Sequence, residues 1–99
     1  MTYEEEQLTI MEAVGRLGKD YLEALSNTPI EVLDVLVHSL SENQYYLARY
    51  INDHKDDEDP EVIEMLRDDW WHTRVMCSAA SEAYGTKSDE IETAKRMRR

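Results

Sequence analysis

Apolar residues recur along this chain at intervals of three and four over three long stretches, the spacing that lines one side of an α-helix. In the first stretch Leu8, Met11, Val14, Leu17, Tyr21, Leu22 and Leu25 predict a helix over about 3–25. Gly15 and Gly18 weaken it locally, or permit close approach of a neighbouring helix. The second stretch carries a seven-residue repeat of Ile30, Leu33, Val37, Leu40, Gln44, Leu47 and Ile51, predicting a helix over about 28–54. The third repeats it with Ile63, Leu66, Trp70, Thr73, Cys77, Ala80 and Tyr84, over about 60–84. Two seams of matched length predict an antiparallel hairpin, each arm about 40 Å at 1.5 Å per residue. Gln44 is a candidate for fixing the register, as a single polar group in an apolar row does in some helix pairs.

Punctuation agrees with these boundaries. In Thr28-Pro29-Ile30-Glu31 the threonine is placed to cap, the proline suits the first helical position and Glu31 completes a capping box. Asp59-Pro60-Glu61 repeats the arrangement, and Thr2 with Glu5 forms a third box. Gly85 predicts a break, after which Ser88 caps a short final helix over about 88–97 containing Ile91, Ala94 and Met97. The expected fold is all-α, one domain over the 99 residues: an antiparallel bundle of three main helices plus a short C-terminal helix, or half of a dimeric bundle.

Charge narrows the choice of partner. The formal net charge is -11, from 22 acidic and 11 basic residues. It is unevenly spread, because residues 1 to 85 hold 19 of the acids and 6 of the bases. Lys87, Lys95, Arg96, Arg98 and Arg99 make the remainder slightly basic. Such a body repels phosphate and anionic lipid, which argues against direct binding of nucleic acid or membranes and for a basic protein surface. No apolar run approaches the roughly 20 residues of a membrane span, and the acidic start lacks a signal peptide's positive region, so a cytoplasmic protein is expected. Cys77 is the one cysteine, which excludes an internal disulfide and fits a small buried hydrophobe.

The densest charge lies at the expected hairpin tip. Asp53, Asp56, Asp57, Glu58, Asp59, Glu61, Glu64, Asp68 and Asp69 stand there against Lys55 and Arg67. One reading is a solvated turn with acids near a helix N-terminus, where the dipole favours them. The other is a row of carboxylates that imitates nucleic-acid phosphates and occupies a partner's basic groove. The glycine and ligand spacing of a calcium loop are missing. Tyr45, Tyr46, Tyr50 and Trp71 exceed what one narrow seam accommodates, so they either pack on a third helix or anchor a partner within the acidic rim.

Chemistry-bearing patterns are sparse. Asp68 with His72, and Glu31, Asp34 and His38, have the spacing of helix-borne metal ligands, but both histidines fall away from the seam centre. No phosphate loop or nucleophile turn is present, so neither an enzyme nor a cofactor is expected. The stretches Glu12-Ala13-Val14-Gly15-Arg16-Leu17 and Glu31-Val32-Leu33-Asp34-Val35-Leu36 resemble the MazG-type nucleotide pyrophosphohydrolases, which hold magnesium through an EExxE and a later ExxD motif. The resemblance would make Glu12, Glu31 and Asp34 magnesium ligands; Ala13 and Arg16 stand where two further glutamates belong, implying an inactive relative.

The expected function is non-catalytic: an acidic helical inhibitor that docks on a basic, nucleic-acid-handling protein. In size and charge it is similar to phage-encoded anti-CRISPR and anti-restriction inhibitors, some of them DNA mimics. The residues expected to touch that partner are Asp56, Asp57, Glu58, Glu61, Glu64, Asp68, Trp71, Tyr46 and Tyr50. The alternatives are a homodimeric assembly protein and the degenerate pyrophosphohydrolase relative.

Overall fold

The computed structural model describes residues 3–97, and among them every element is a helix: α1 (Tyr3–Gly15), α2 (Lys19–Ser26), α3 (Ile30–His54) and α4 (Pro60–Met97). α3 and α4 form the antiparallel hairpin that the paired repeats predict. Ser41 Oγ lies 3.4 Å from Cys77 Sγ, and two residues further along α3 the Asn43 amide reaches the Thr73 hydroxyl at 3.5 Å. The amide that bonds across the seam is thus Asn43 and not Gln44. Thr73 also donates to the Asp69 carbonyl at 2.8 Å, so this buried hydroxyl is satisfied.

The expected bundle of three long helices gives way to a different division of the chain. The first helix is two, because Gly18 adopts φ 96 and ψ 147, a backbone region that only glycine enters without strain. No neighbouring atom lies within 4 Å of where a Cβ would stand on Gly15 or Gly18, so the close approach of a second helix is not their role. The break expected at Gly85 is absent. Gly85 takes helical torsions, and α4 runs through it for 38 residues to a last turn holding Lys95 and Arg96, where cations complement the helix dipole. Ser88 is therefore internal to α4 and caps nothing.

The caps divide in the same way. The Glu61 N–H donates to Asp59 Oδ1 at 2.9 Å, so Asp59 starts α4 as its sequence predicts. Thr28 instead turns its hydroxyl back onto the Ala24 carbonyl at 2.6 Å, and Pro29 occupies the N-cap position of α3 without any side-chain bond. The box predicted at Thr2 lies outside the described residues.

α4 is the common support. α3 packs along one side of it and α1 and α2 along another. All three meet it where Leu25, Leu33, Ala79 and Ala80 form the buried cluster, with Val14, Leu17, Tyr21, Leu22, Leu36, Val37, Leu40 and Ala83 against it. Leu33 is the one large side chain wholly removed from solvent among the described residues. Cys77, two residues before Ala79, is buried as a packing residue. Between α2 and α4 the small residues leave an open groove of about 470 Å³ over Val14, Leu22, Leu25, Ala79 and Ala83. The molecule measures 61 × 26 × 24 Å, and its radius of gyration of 16.6 Å exceeds the roughly 13 Å of a spherical domain this long.

Three substitutions separate these roles in urea denaturation. Leu33→Ala should cost roughly 2–5 kcal/mol, the range for a truncated buried leucine. Gly18→Ala should cost about 1–2 kcal/mol through its positive φ. Gly85→Ala should stabilise by about 0.5–1 kcal/mol, because its site is helical and open; a loss there would mean that α4 bends or breaks at this residue.

Candidate protein-binding site

Short-range polar contacts shape the turn between α3 and α4. The Glu58 N–H closes the end of α3 on the His54 carbonyl at 2.9 Å. The Tyr50 hydroxyl donates to Glu58 Oε2 at 2.9 Å, and its ring lies against the His54 ring with centroids 4.3 Å apart. His54 Nδ1 in turn sits 3.3 Å from Asp57 Oδ1. The hydrogen bond to Glu58, and then the charge of that carboxylate, hold the Tyr50 phenol above its ordinary range. Tyr50 is thus a brace for the turn as well as a surface aromatic.

Around this brace the carboxylates face water. Asp53, Asp56, Asp57, Asp59, Glu61, Glu64, Asp68 and Asp69 are exposed and Glu58 is half-buried. Spacings of three and four place Glu61, Glu64, Asp68 and Trp71 on one face of α4. Among the described residues the ion pairs at the tip are those of Arg49 with Asp53, at 3.8 Å, and of His54 with Asp57. Glu61 lies in the first turn of α4, where the dipole favours an acid. Glu64 and Asp68 lie beyond it, and like charges four apart on a helix cost a few tenths of a kcal/mol.

A feature that the sequence reading did not assemble lies beside this row. Ala48, Ile51 and Asn52 of α3 and Trp70 and Trp71 of α4 line an open groove of about 520 Å³, flanked by Lys55 and Arg67. These two cations, set against the acidic stretch in sequence, stand together on the groove. Trp70 and Trp71 are half-buried in its wall, and the Arg74 guanidinium lies 5.4 Å from the Trp70 ring centroid. The signal that could have revealed the groove was the hairpin register, since extending the Ser41–Cys77 pairing toward the turn brings Ala48 level with Trp70 and Ile51 level with Arg67.

The expected partner residues therefore separate into two sets. Asp56, Asp57, Glu58, Glu61, Glu64, Asp68, Tyr50 and Trp71 share the tip. Tyr46 does not: it lies ten residues before Asp56, about 15 Å along α3, exposed and edge-on to Tyr45 at 5.6 Å. The magnesium ligands implied by the pyrophosphohydrolase resemblance are not brought together. Glu12, Glu31 and Asp34 are exposed, α1 packs on α4, and no group of three or more His, Cys, Asp or Glu side chains among the described residues could hold a metal ion. His38 turns onto its own helix, 2.7 Å from the Asp34 carbonyl. No helix among the described residues is long and apolar enough to cross a membrane.

No protein-family model matches the chain, and no curated protein or solved structure matches it significantly.

Two measurements test the electrostatics of the tip. Replacing Glu64 with Gln should raise the melting temperature slightly, by the few tenths of a kcal/mol that like charges at this spacing cost; a fall would reveal a stabilising partner for this carboxylate. Because the Tyr50 pKa is raised on folding, its contribution is complete below the ordinary phenol value and is lost as pH climbs through the folded value, above about pH 10. The difference in tyrosinate absorbance between wild type and Tyr50→Phe should therefore titrate late, and Glu58→Gln should move it earlier.

Proposed function

We propose that this is a non-catalytic, acidic helical binding protein whose hairpin tip docks on the basic surface of a nucleic-acid-handling protein and blocks it. The observation that carries this reading is the face formed by Glu61, Glu64 and Asp68. These carboxylates are exposed, like-charged and without ion pairs among the described residues, and two of them lie beyond the reach of the helix dipole. Folding does not account for such a row, whereas a Lys- or Arg-lined groove accepts it by charge complementarity. Trp71 and the adjoining groove supply an aromatic anchor beside the charges, the arrangement in which interface energy concentrates. The turn braced by Tyr50 and Glu58 holds the rim in one shape, which lowers the ordering cost of docking. An inhibitor of the phage anti-CRISPR or anti-restriction type, including a DNA mimic, is the biological setting that this chemistry fits.

Affinity capture from a cytoplasmic extract, compared between wild type and the triple variant Glu61→Gln, Glu64→Gln, Asp68→Asn, tests it. One nucleic-acid-binding protein should be retained by the wild type at low salt and released at high salt, with roughly tenfold weaker retention by the variant. Equal capture by the variant, or retention insensitive to salt, would exclude docking through this face.

A further inference from the structure

The outer face of α3 carries a second apolar stripe that no other helix among the described residues covers. Val32 is 53 % exposed, Val35 64 %, Tyr46 62 % and Tyr50 41 %. At 100° per residue these four fall within about 60° of one another on the helix, and about 115° from the centre of the Leu33–Ile51 row that faces α4. The molecule also exposes too much surface for its size: 7661 Å², where a monomer of 11.6 kDa is expected to show about 5,800 Å². The excess is larger than the roughly 800 Å² that each partner contributes to a standard interface.

We propose that this stripe is the interface of a two-fold dimer, in which α3 packs antiparallel on α3 of a second copy with the dyad level with residue 41. The order of residues selects that occupant. Val32 and Tyr50 are equidistant from this level, and Val35 and Tyr46 are so to within one residue, so a two-fold axis there sets each valine against the partner's tyrosine. Small and large side chains then alternate across the seam, the condition for filling it. Nearer the dyad, Ser39 comes within one residue of the level of the partner's Glu42, a hydroxyl donor beside a carboxylate acceptor.

Charge selects the antiparallel direction. Arg49 and Glu31 flank the stripe on the same side, and antiparallel helices bring equivalent flanks together, so Arg49 comes within two residues, about 3 Å, of the level of the partner's Glu31. In the single chain Arg49 reaches only Asp53, at 3.8 Å with both groups largely exposed. The ends agree. Ser41 opposite Cys77 fixes how far α4 overhangs α3, and Lys87, Lys95 and Arg96 lie roughly 15–30 Å from the dyad level. The partner's acidic turn is centred about 22 Å from the dyad on that same side. A parallel pair would instead set two acidic turns side by side and leave both basic ends without a counter-charge.

Sedimentation velocity at about 100 μM should give twice the 11.6 kDa chain mass. Val35→Glu and Tyr46→Glu should each return the protein to 11.6 kDa with an unchanged circular dichroism spectrum, since both side chains are exposed in the single chain. The two-fold axis repeats every substitution, so dissociation constants should rise by about 100-fold or more. Under mild oxidation a mixture of Val32→Cys and Tyr50→Cys chains should form the heterotypic cross-link, and Val32→Cys alone should form none. A monomeric wild type, a dimer that survives both glutamates, or a Val32→Cys homodimer would each overturn the proposal. Neither glutamate touches the tip carboxylates, so loss of dimerisation and loss of tip docking are read separately.

Discussion

Everything in this fold rests on α4 presenting two packing surfaces to two different neighbours. A helix that large apolar side chains cover all round holds its neighbours about 8–10 Å away and needs a wide core to satisfy them. α4 instead places Cys77, Ser78, Ala79, Ala80 and Ala83 where α3 and α2 converge, and into that notch go Leu33 and Leu25. The small residues let the flanking helices approach, but they bring little apolar area of their own, at about 25 cal/mol per Å². The result is a rod whose core is short and thin. Ile63 and Val75 are buried nearer the turn on α4, while from Asp89 to Met97 the same helix lies exposed. An elongated shape and an excess of exposed area follow from that one arrangement.

Charge is distributed in keeping with this thin core. Like-charged carboxylates weaken a fold most where they are buried or crowded against packed elements, and at the tip they are neither. The turn is held locally, by Asp59 on the Glu61 N–H and by Tyr50 on Glu58, so its shape does not depend on the buried cluster at the far end of the hairpin. The acids in the turn and first helical turn have a structural account in capping and the dipole. Glu64 and Asp68 have none among the described residues.

The heptad rows made the hairpin legible in the sequence, because a seven-residue repeat encodes which side of each helix is buried, and both prolines marked real helix starts. The helix breaks were less legible. Gly18 and Gly85 are the same residue in similar polar surroundings, yet one takes a positive φ and ends a helix while the other continues it. What separates them is the packing of Leu17, Tyr21 and Leu22 onto the cluster, which requires the chain to turn after Gly15; no such demand acts at Gly85. Thr28 shows the same limit, since its hydroxyl had an equal choice between capping forward and bonding back to Ala24. At the candidate site the carboxylates were readable one by one. The groove between Lys55, Arg67 and the two tryptophans was not, because it exists only once the register of two helices is known.

The aromatic surplus on α3 is the point where tip and shaft connect. Tyr50 belongs to both: its hydroxyl braces Glu58 while its ring closes the stripe that begins at Val32. In an antiparallel pair the two acidic turns lie at opposite ends, roughly 45 Å apart at 1.5 Å per residue. Each is then level with the basic end of the other chain's α4. In the proposed dimer, a basic partner docking on the tip would compete there with Lys87, Lys95 and Arg96 of the second copy for the same carboxylates. In the proposed dimer the slightly basic end of an otherwise acidic chain would lower the repulsion between two bodies of charge -11, and it would set how strong a foreign basic surface must be to displace it.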